Sequence, residues 1–194
     1  MFNVVLFEPE IPSNTGNIGR TCVVTGSRLH LIGPLGFSLG DDMLRRAGLG
    51  YWHSLDVTTY AGWEEFLAQN GLGETDERLH LLTKKARKTY TQATYADGDF
   101  LVFGKESTGL PEELLARAAS RCERIPMLPD ATTLKDAGEW AARVGREQSH
   151  EALRQDVCGN FVDPDDYRIS ALNLSNSAAI VLYEALRQTN FQGM

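Results

Sequence analysis

Asn3-Val4-Val5-Leu6-Phe7, then Pro9 and Pro12, then Ser13-Asn14-Thr15-Gly16-Asn17-Ile18-Gly19-Arg20 running on to Gly26, then Arg28-Leu29-His30-Leu31-Ile32: this opening stretch decides the fold. Residues 3–7 are rich in Val, Leu and Phe with no polar alternation, which suits a strand buried on both faces. The two prolines end it. Ser13 or Asn14 supplies an N-cap for a helix that carries Ile18, Cys22 and Val23 and stops at Gly26. A second strand, Arg28 to Ile32, closes at Gly33-Pro34. The pattern recurs: helix Trp63 to Ala68, strand Leu79 to Thr83, strand Phe100 to Phe103, helix Pro111 to Ala119 with proline in its first turn, strand Cys122 to Ile125. Such alternation predicts an α/β fold, a mainly parallel sheet flanked by helices with right-handed crossovers. Ligands of these sheets sit beyond the carboxyl ends of the strands.

The chain ends on a second informative stretch, Leu172-Asn173-Leu174-Ser175-Asn176, leading into an apolar helix that reaches Leu186. Asn173, Ser175, Asn176 and Ser177 compete for backbone hydrogen bonds, so they favour a helix start over a helix interior. Polar chemistry is thereby concentrated where backbone N–H groups lack partners. Before it, from Ala131 to about Arg168, the chain turns polar and acidic by roughly three charges. Leu134, Ala137, Ala141 and Val144 recur there at helical spacing. The expectation is a single domain over 1–194 with a helical segment inserted at about 131–168.

At 194 residues and 42% hydrophobic content the chain can bury one sizeable core. It has no apolar run long enough for a transmembrane helix, and its start lacks the basic leader of a signal peptide. Cys22, Cys122 and Cys158 form no CxxC pair, and the four histidines are scattered, so reduced thiols, a cytoplasmic location and no metal site are expected. A net charge of −7 argues mildly against nucleic acid. Local patches matter more than the sum, and Arg45-Arg46 and Lys84-Lys85 with Arg87-Lys88 are two such patches.

Two loops join a strand to a helix in the position where backbone donors meet an anion. One is Asn14 to Arg20, which reads either as a ligand loop or as a capped helix with a surface arginine. It is not GxGxxG. The other is Phe103-Gly104-Lys105-Glu106-Ser107-Thr108-Gly109-Leu110-Pro111, whose glycines permit close backbone approach to a ligand, or which is a plain turn. It has no Walker spacing. With Arg124-Ile125-Pro126-Met127 and the Asn173 segment, these loops make one candidate pocket.

Taken in order, five stretches resemble the SPOUT class of S-adenosylmethionine-dependent RNA methyltransferases. They are Glu8-Pro9-Glu10-Ile11-Pro12 with Asn14 to Ile18 and Arg20; Leu44-Arg45-Arg46-Ala47-Gly48-Leu49 with Tyr51; Phe103-Gly104 with Glu106 and Gly109-Leu110-Pro111; Arg124 to Met127; and Asn173 to Asn176 with Tyr183-Glu184-Ala185. The chain is more closely similar to the small single-domain branch that 2′-O-methylates the wobble nucleotide, cytidine or 5-substituted uridine, of certain leucine tRNAs. That resemblance implies a C-terminal deep trefoil knot, although knots are nearly absent from proteins in general. It also implies a homodimer with an active site shared between subunits, and S-adenosyl-L-methionine bound at Leu82, Gly104, Ile125, Met127, Ala171, Leu172, Asn173 and Ser175. Arg20, Asn14, Glu106, Asn173 and Tyr183 become the expected catalytic set, and Arg20, Arg45, Arg46, Lys84 and Lys85 the expected tRNA contacts. Arg20 would clamp a phosphate and stabilise developing alkoxide, since a guanidinium is a poor base. Tyr183 would belong to the dimer seam.

Two features depart from the family pattern. The stretch before Asn173 reads Ser170-Ala171-Leu172 where the family carries Arg-Ser, with Arg168 as the nearest substitute, and the 131–168 segment interrupts a cofactor-facing loop. That segment is either a lid or a passive surface elaboration. The alternatives to wobble methylation are 2′-O-methylation of another tRNA or rRNA site, or a non-catalytic RNA-binding dimer.

Overall fold

Strand β1, Asn3–Phe7, is buried at every residue. Its side chains divide by parity: Val5 and Phe7 enter one apolar layer, Val4 and Leu6 the other. A strand with a core on both faces has no room for polar alternation, which is why this segment reads as a continuous apolar run. The computed structural model describes residues 1–38, 52–127 and 171–194. The segment expected at 131–168, together with Arg45, Arg46 and Cys158, lies outside the described residues.

After β1 come α1 (Pro12–Thr25), β2 (Arg28–Ile32), β3 (Val57–Tyr60), α2 (Trp63–Asn70), β4 (Leu79–Leu82), β5 (Phe100–Phe103), α3 (Glu112–Arg117), β6 (Cys122–Glu123) and α4 (Leu174–Gln188). The sheet order is β3-β2-β1-β5-β4-β6, and every pair is parallel. Helices α1 and α4 cover one face through Ile18, Cys22, Val181, Leu182 and Ala185. Trp63, Phe66, Leu114 and Leu115 of α2 and α3 cover the other. The expected α/β sheet flanked by helices is therefore the observed one.

Local signals explain most boundaries. Gly26 ends α1 in the left-handed region at φ 63°, where its N–H reaches the carbonyls of Cys22 and Val23. Gly71 ends α2 in the same way at φ 60°. The expected strand Cys122 to Ile125 keeps only two paired residues, because beyond Glu123 the chain bonds instead to the 88–90 segment. Strand β3 is not anticipated by the sequence reading. It is four residues long at the sheet edge, and its half-exposed Val-Thr-Thr carries little apolar signal.

The N-cap expectation for α1 needs correction. Ile11, not Ser13 or Asn14, occupies the cap, with Pro12 at the first helical position and no side-chain cap of its own. The cap arrives from elsewhere in the chain: the carboxylate of Glu106 accepts the N–H groups of Glu10 (2.9 Å) and Ile11 (3.3 Å). This frees Asn14 to turn inward, where it is 4% exposed.

Candidate functional site

Strand order reverses direction between β1 and β5, so the loops leaving their carboxyl ends diverge and open a crevice. A cleft of about 500 Å³ lies there. Leu82 and Thr83 come from the end of β4, Phe103 to Leu110 from the end of β5, and Ile125 and Met127 from the end of β6. Ala171, Leu172, Asn173, Leu174 and Ser177 close it from the start of α4, and Ile11 and Asn14 from the start of α1. The main-chain N–H of Leu172 points to Met127 Sδ at 3.4 Å, joining the last two walls.

One hydrogen-bonded chain crosses the rim. Asn14 Nδ2 donates to Glu106 Oε1 at 3.0 Å. Asn173 Nδ2 donates to Asn14 Oδ1 at 2.9 Å. Asn173 Oδ1 in turn caps α4, accepting Ser175 N–H at 2.9 Å and its hydroxyl at 2.6 Å. Each amide thus donates on one side and accepts on the other, which orients both without ambiguity of O and N. Four expected site residues from three distant segments meet in this chain.

The loop after β5 has a shape dictated by its glycines. A Cβ on Gly104 would stand 2.1 Å from the carbonyl carbon of Gly109 and 2.2 Å from the nitrogen of Leu110, so the loop folds back onto Gly104 itself. Gly109 adopts φ +73°. Close approach is therefore needed first by the protein's own backbone, and the loop so shaped lines the cleft from Phe103 to Leu110.

Positive charge borders the cleft. Lys84 and Lys85 line it, and Lys85 pairs with Glu112. Burial, with help from the charge of Lys85, holds the Lys84 amine below its usual range. Lys105 pairs with Glu8. Of the remaining expected residues, Ser175 joins the rim chain but is outside the cleft lining. Arg20 is exposed on α1 and Tyr183 is 43% exposed on α4, both outside the lining. Among the described residues no group of His, Cys, Asp and Glu could hold a metal ion, and no helix is long and apolar enough to cross a membrane.

Two polar features escaped the sequence reading. Glu10 accepts from the Ser107 N–H (3.0 Å) and hydroxyl (2.9 Å), mirroring the grip of Glu106 on the Glu10 amide. The only sequence signal is a second acid two residues after Glu8. At the opposite end of the strands, buried His80 lies between Glu123 (3.0 Å) and Asp99 (3.1 Å), with Tyr95 and Lys88 also on Glu123. Burial opposes charge on this ring, but the two carboxylates prevail and raise its pKa.

A profile of the SpoU rRNA Methylase family matches residues 1–134. The tRNA (cytidine(34)-2′-O)-methyltransferase of Saccharophagus degradans is 41% identical, covering 100% of this chain and 99% of that protein. The Escherichia coli K12 protein of the same name is 38% identical over 100% and 97%. A solved structure described as giving structural insights into the 2-OH methylation of C/U34 on tRNA is 32% identical, with a TM-score of 0.70 and coverage of 98% and 97%.

Proposed function

Because the chain belongs to the SpoU rRNA Methylase family, we propose that it is an S-adenosylmethionine-dependent enzyme methylating the ribose 2′-OH of nucleotide 34, the wobble nucleotide, of tRNA. The observation that carries this reading is the rim chain Ser175–Asn173–Asn14–Glu106 at the edge of an apolar cleft. It joins three of the five residues expected to act, Asn14, Glu106 and Asn173, and relatives near 40% identity over their full length carry the tRNA name.

The cleft suits S-adenosylmethionine. Its volume falls in the range of small-molecule sites. Leu82, Phe103, Ile125 and Leu172 offer apolar surface to an adenine ring, and main-chain groups of the Gly104 loop are within reach of polar atoms. Bound there, S-adenosylmethionine supplies an electrophilic methyl carbon for in-line attack by the ribose oxygen. The protein's task is mainly alignment and exclusion of water. Asn14, held between Glu106 and Asn173, presents a fixed amide to the ribose or to Arg20. Arg20 clamps the neighbouring phosphate and stabilises negative charge developing on the 2′-oxygen. A guanidinium is a poor base, so the 2′-hydroxyl proton leaves by another route, to solvent.

The finer reading follows the family. Cytidine or 5-substituted uridine of leucine tRNAs is the substrate, in the cytoplasm. A deep trefoil knot forms the C-terminal half. Two copies make the working enzyme, and the exposed apolar side chains Ile11, Leu172, Ile180 and Tyr183 near the α1–α4 face support this, with Tyr183 in the seam. Lys84 and Lys85, with Arg45 and Arg46, hold tRNA phosphates. Methyl transfer from labelled S-adenosylmethionine to tRNA lacking 2′-O-methyl groups, followed by mapping of the label, tests the proposal. Label at ribose 34 is expected. Label only at another nucleotide, or cofactor binding with no transfer to any tRNA, overturns it.

A further inference from the structure

The turn after β1 sets two carboxylates, Glu8 and Glu10, against the loop that walls the proposed cofactor cleft of an RNA-modifying enzyme. Acidic groups there repel phosphate, so they are poorly suited to contacting the substrate. Both are instead engaged within the protein. Glu8 pairs with Lys105, and Glu10 accepts the N–H and the hydroxyl of Ser107 at 3.0 and 2.9 Å. Running the other way, Glu106 accepts the amides of Glu10 and Ile11. Three consecutive residues of the loop after β5 therefore each grip the 8–11 turn.

Neither half of this clasp bends easily. The loop doubles back with Gly104 against Gly109, and Lys105 and Gly109 exchange backbone hydrogen bonds at 3.2 and 2.9 Å. The turn is buttressed from behind: the Gly36 N–H donates to the Pro9 carbonyl at 2.9 Å, and a Cβ on Gly36 would lie 2.8 Å from Glu10 Cα. Glu8 holds φ 46°, in the left-handed region that side chains other than Asn and Asp seldom occupy. Two stiff bodies joined by side chains can only pivot, and the joining side chains set the angle. One of these bodies, residues 104–110, is a wall of the cleft.

We infer that Glu10, acting through Ser107, is a positioning residue for the cofactor: it sets the angle of the 104–110 wall while lying outside the cleft lining itself. Ser107 is exposed and Glu10 half-exposed, and hydrogen bonds in such places contribute little to global stability. Losing this one shifts the wall rather than unfolding the chain. The two donors of Ser107 hold the Glu10 carboxyl below its usual range, so the clasp is charged at neutral pH.

The test takes the proposed cofactor as its ligand and adds a readout that needs none. Glu10→Ala is expected to raise the calorimetric Kd for S-adenosylmethionine about fivefold to tenfold, the scale of one ordinary intramolecular hydrogen bond in an exposed place. The kcat at saturating cofactor should stay within about twofold, and thermal stability should hold. Ser107→Ala keeps its backbone donor and should raise Kd less, and the double variant should be no worse than Glu10→Ala. Glu10→Gln, retaining an acceptor oxygen, should restore most of the affinity. In the protein without cofactor, amide hydrogen exchange across 105–110 should quicken about tenfold in Glu10→Ala. Wild-type Kd and wild-type exchange in a folded Glu10→Ala protein would overturn the inference. Should the wild type bind no S-adenosylmethionine, the methyltransferase reading falls, and exchange alone decides the clasp: faster supports it and unchanged refutes it.

Discussion

Removing the carboxylate of Glu106 should loosen the protein measurably even though the side chain is not in the core. It accepts three donors: the amides of Glu10 and Ile11 at 2.9 and 3.3 Å and Asn14 Nδ2 at 3.0 Å. The second serves the N-cap position of α1, which has no side-chain cap of its own, and the first lies one residue before the helix. Loss of a cap costs about 1 kcal/mol. The third bond orients a side chain that is 4% exposed, and stranding a buried polar group costs roughly 1–3 kcal/mol. The Glu10 bond lies outside the helix and does not enter the sum. Glu106→Ala should therefore destabilise by about 2–3 kcal/mol. For a chain of this size that is a fall of roughly 5–10 °C in Tm. Urea unfolding of wild type, Glu106→Ala, Asn14→Ala and the double variant measures it, with the cycle reporting the Asn14–Glu106 coupling. A Glu106→Ala protein within about 0.5 kcal/mol of wild type would refute the reasoning, because it would mean solvent caps α1 as well as the carboxylate does.

Three other outcomes are expected. Burial first, then the charge of Arg28, push the His30 ring down to about 4, while its nitrogens meet Tyr60 and Asn3. The ring stays neutral in the fold as the unfolded chain gains a proton, so stability should fall by roughly 3 kcal/mol as pH drops from 6.5 towards 4. His80, raised by its two carboxylates, acts in the opposite sense: its contribution is present below its unfolded pKa and is lost as pH rises through the folded one. Urea midpoints against pH for His30→Gln and His80→Gln should flatten the acid and the alkaline limb respectively, and unchanged limbs would contradict the assignment. Gly104→Ala forces a Cβ to within 2.1 Å of backbone and should destabilise by roughly 3 kcal/mol or more by thermal unfolding, with cofactor affinity lost alongside. Arg20→Lys keeps the charge but loses the fork, and should lower kcat/KM for tRNA at least about tenfold with cofactor Kd unchanged, whereas full activity would remove the clamp role.

Helix and strand identities were legible where the chemistry is local. The apolar run of β1, the glycine stop of α1 and the Asn173 cap of α4 each depend on residues within a turn of one another. Strand β3 was not legible, because a short edge strand with one exposed face needs few apolar residues. The cap of α1 was misread for a related reason. Ser13 and Asn14 have the right chemistry, but Pro12 takes the first helical position and a carboxylate some 95 residues away takes the donors.

Sequence alone determined which residue types were available to the site: Asn14, Glu106 and Asn173 stand out because polar side chains beside strand ends and helix starts have unpaired backbone to serve. Only the tertiary structure decided how they meet. Asn14 joins Glu106 across 92 residues and Asn173 across 159, and the strand order β3-β2-β1-β5-β4-β6 brings those segments to one edge. Parallel pairing is non-local, and nothing within a strand's own few residues names its neighbour. The same holds for Glu10 and Ser107, two unremarkable surface residues by sequence, whose contact exists because a glycine-shaped loop and a buttressed turn emerge side by side from adjacent strands.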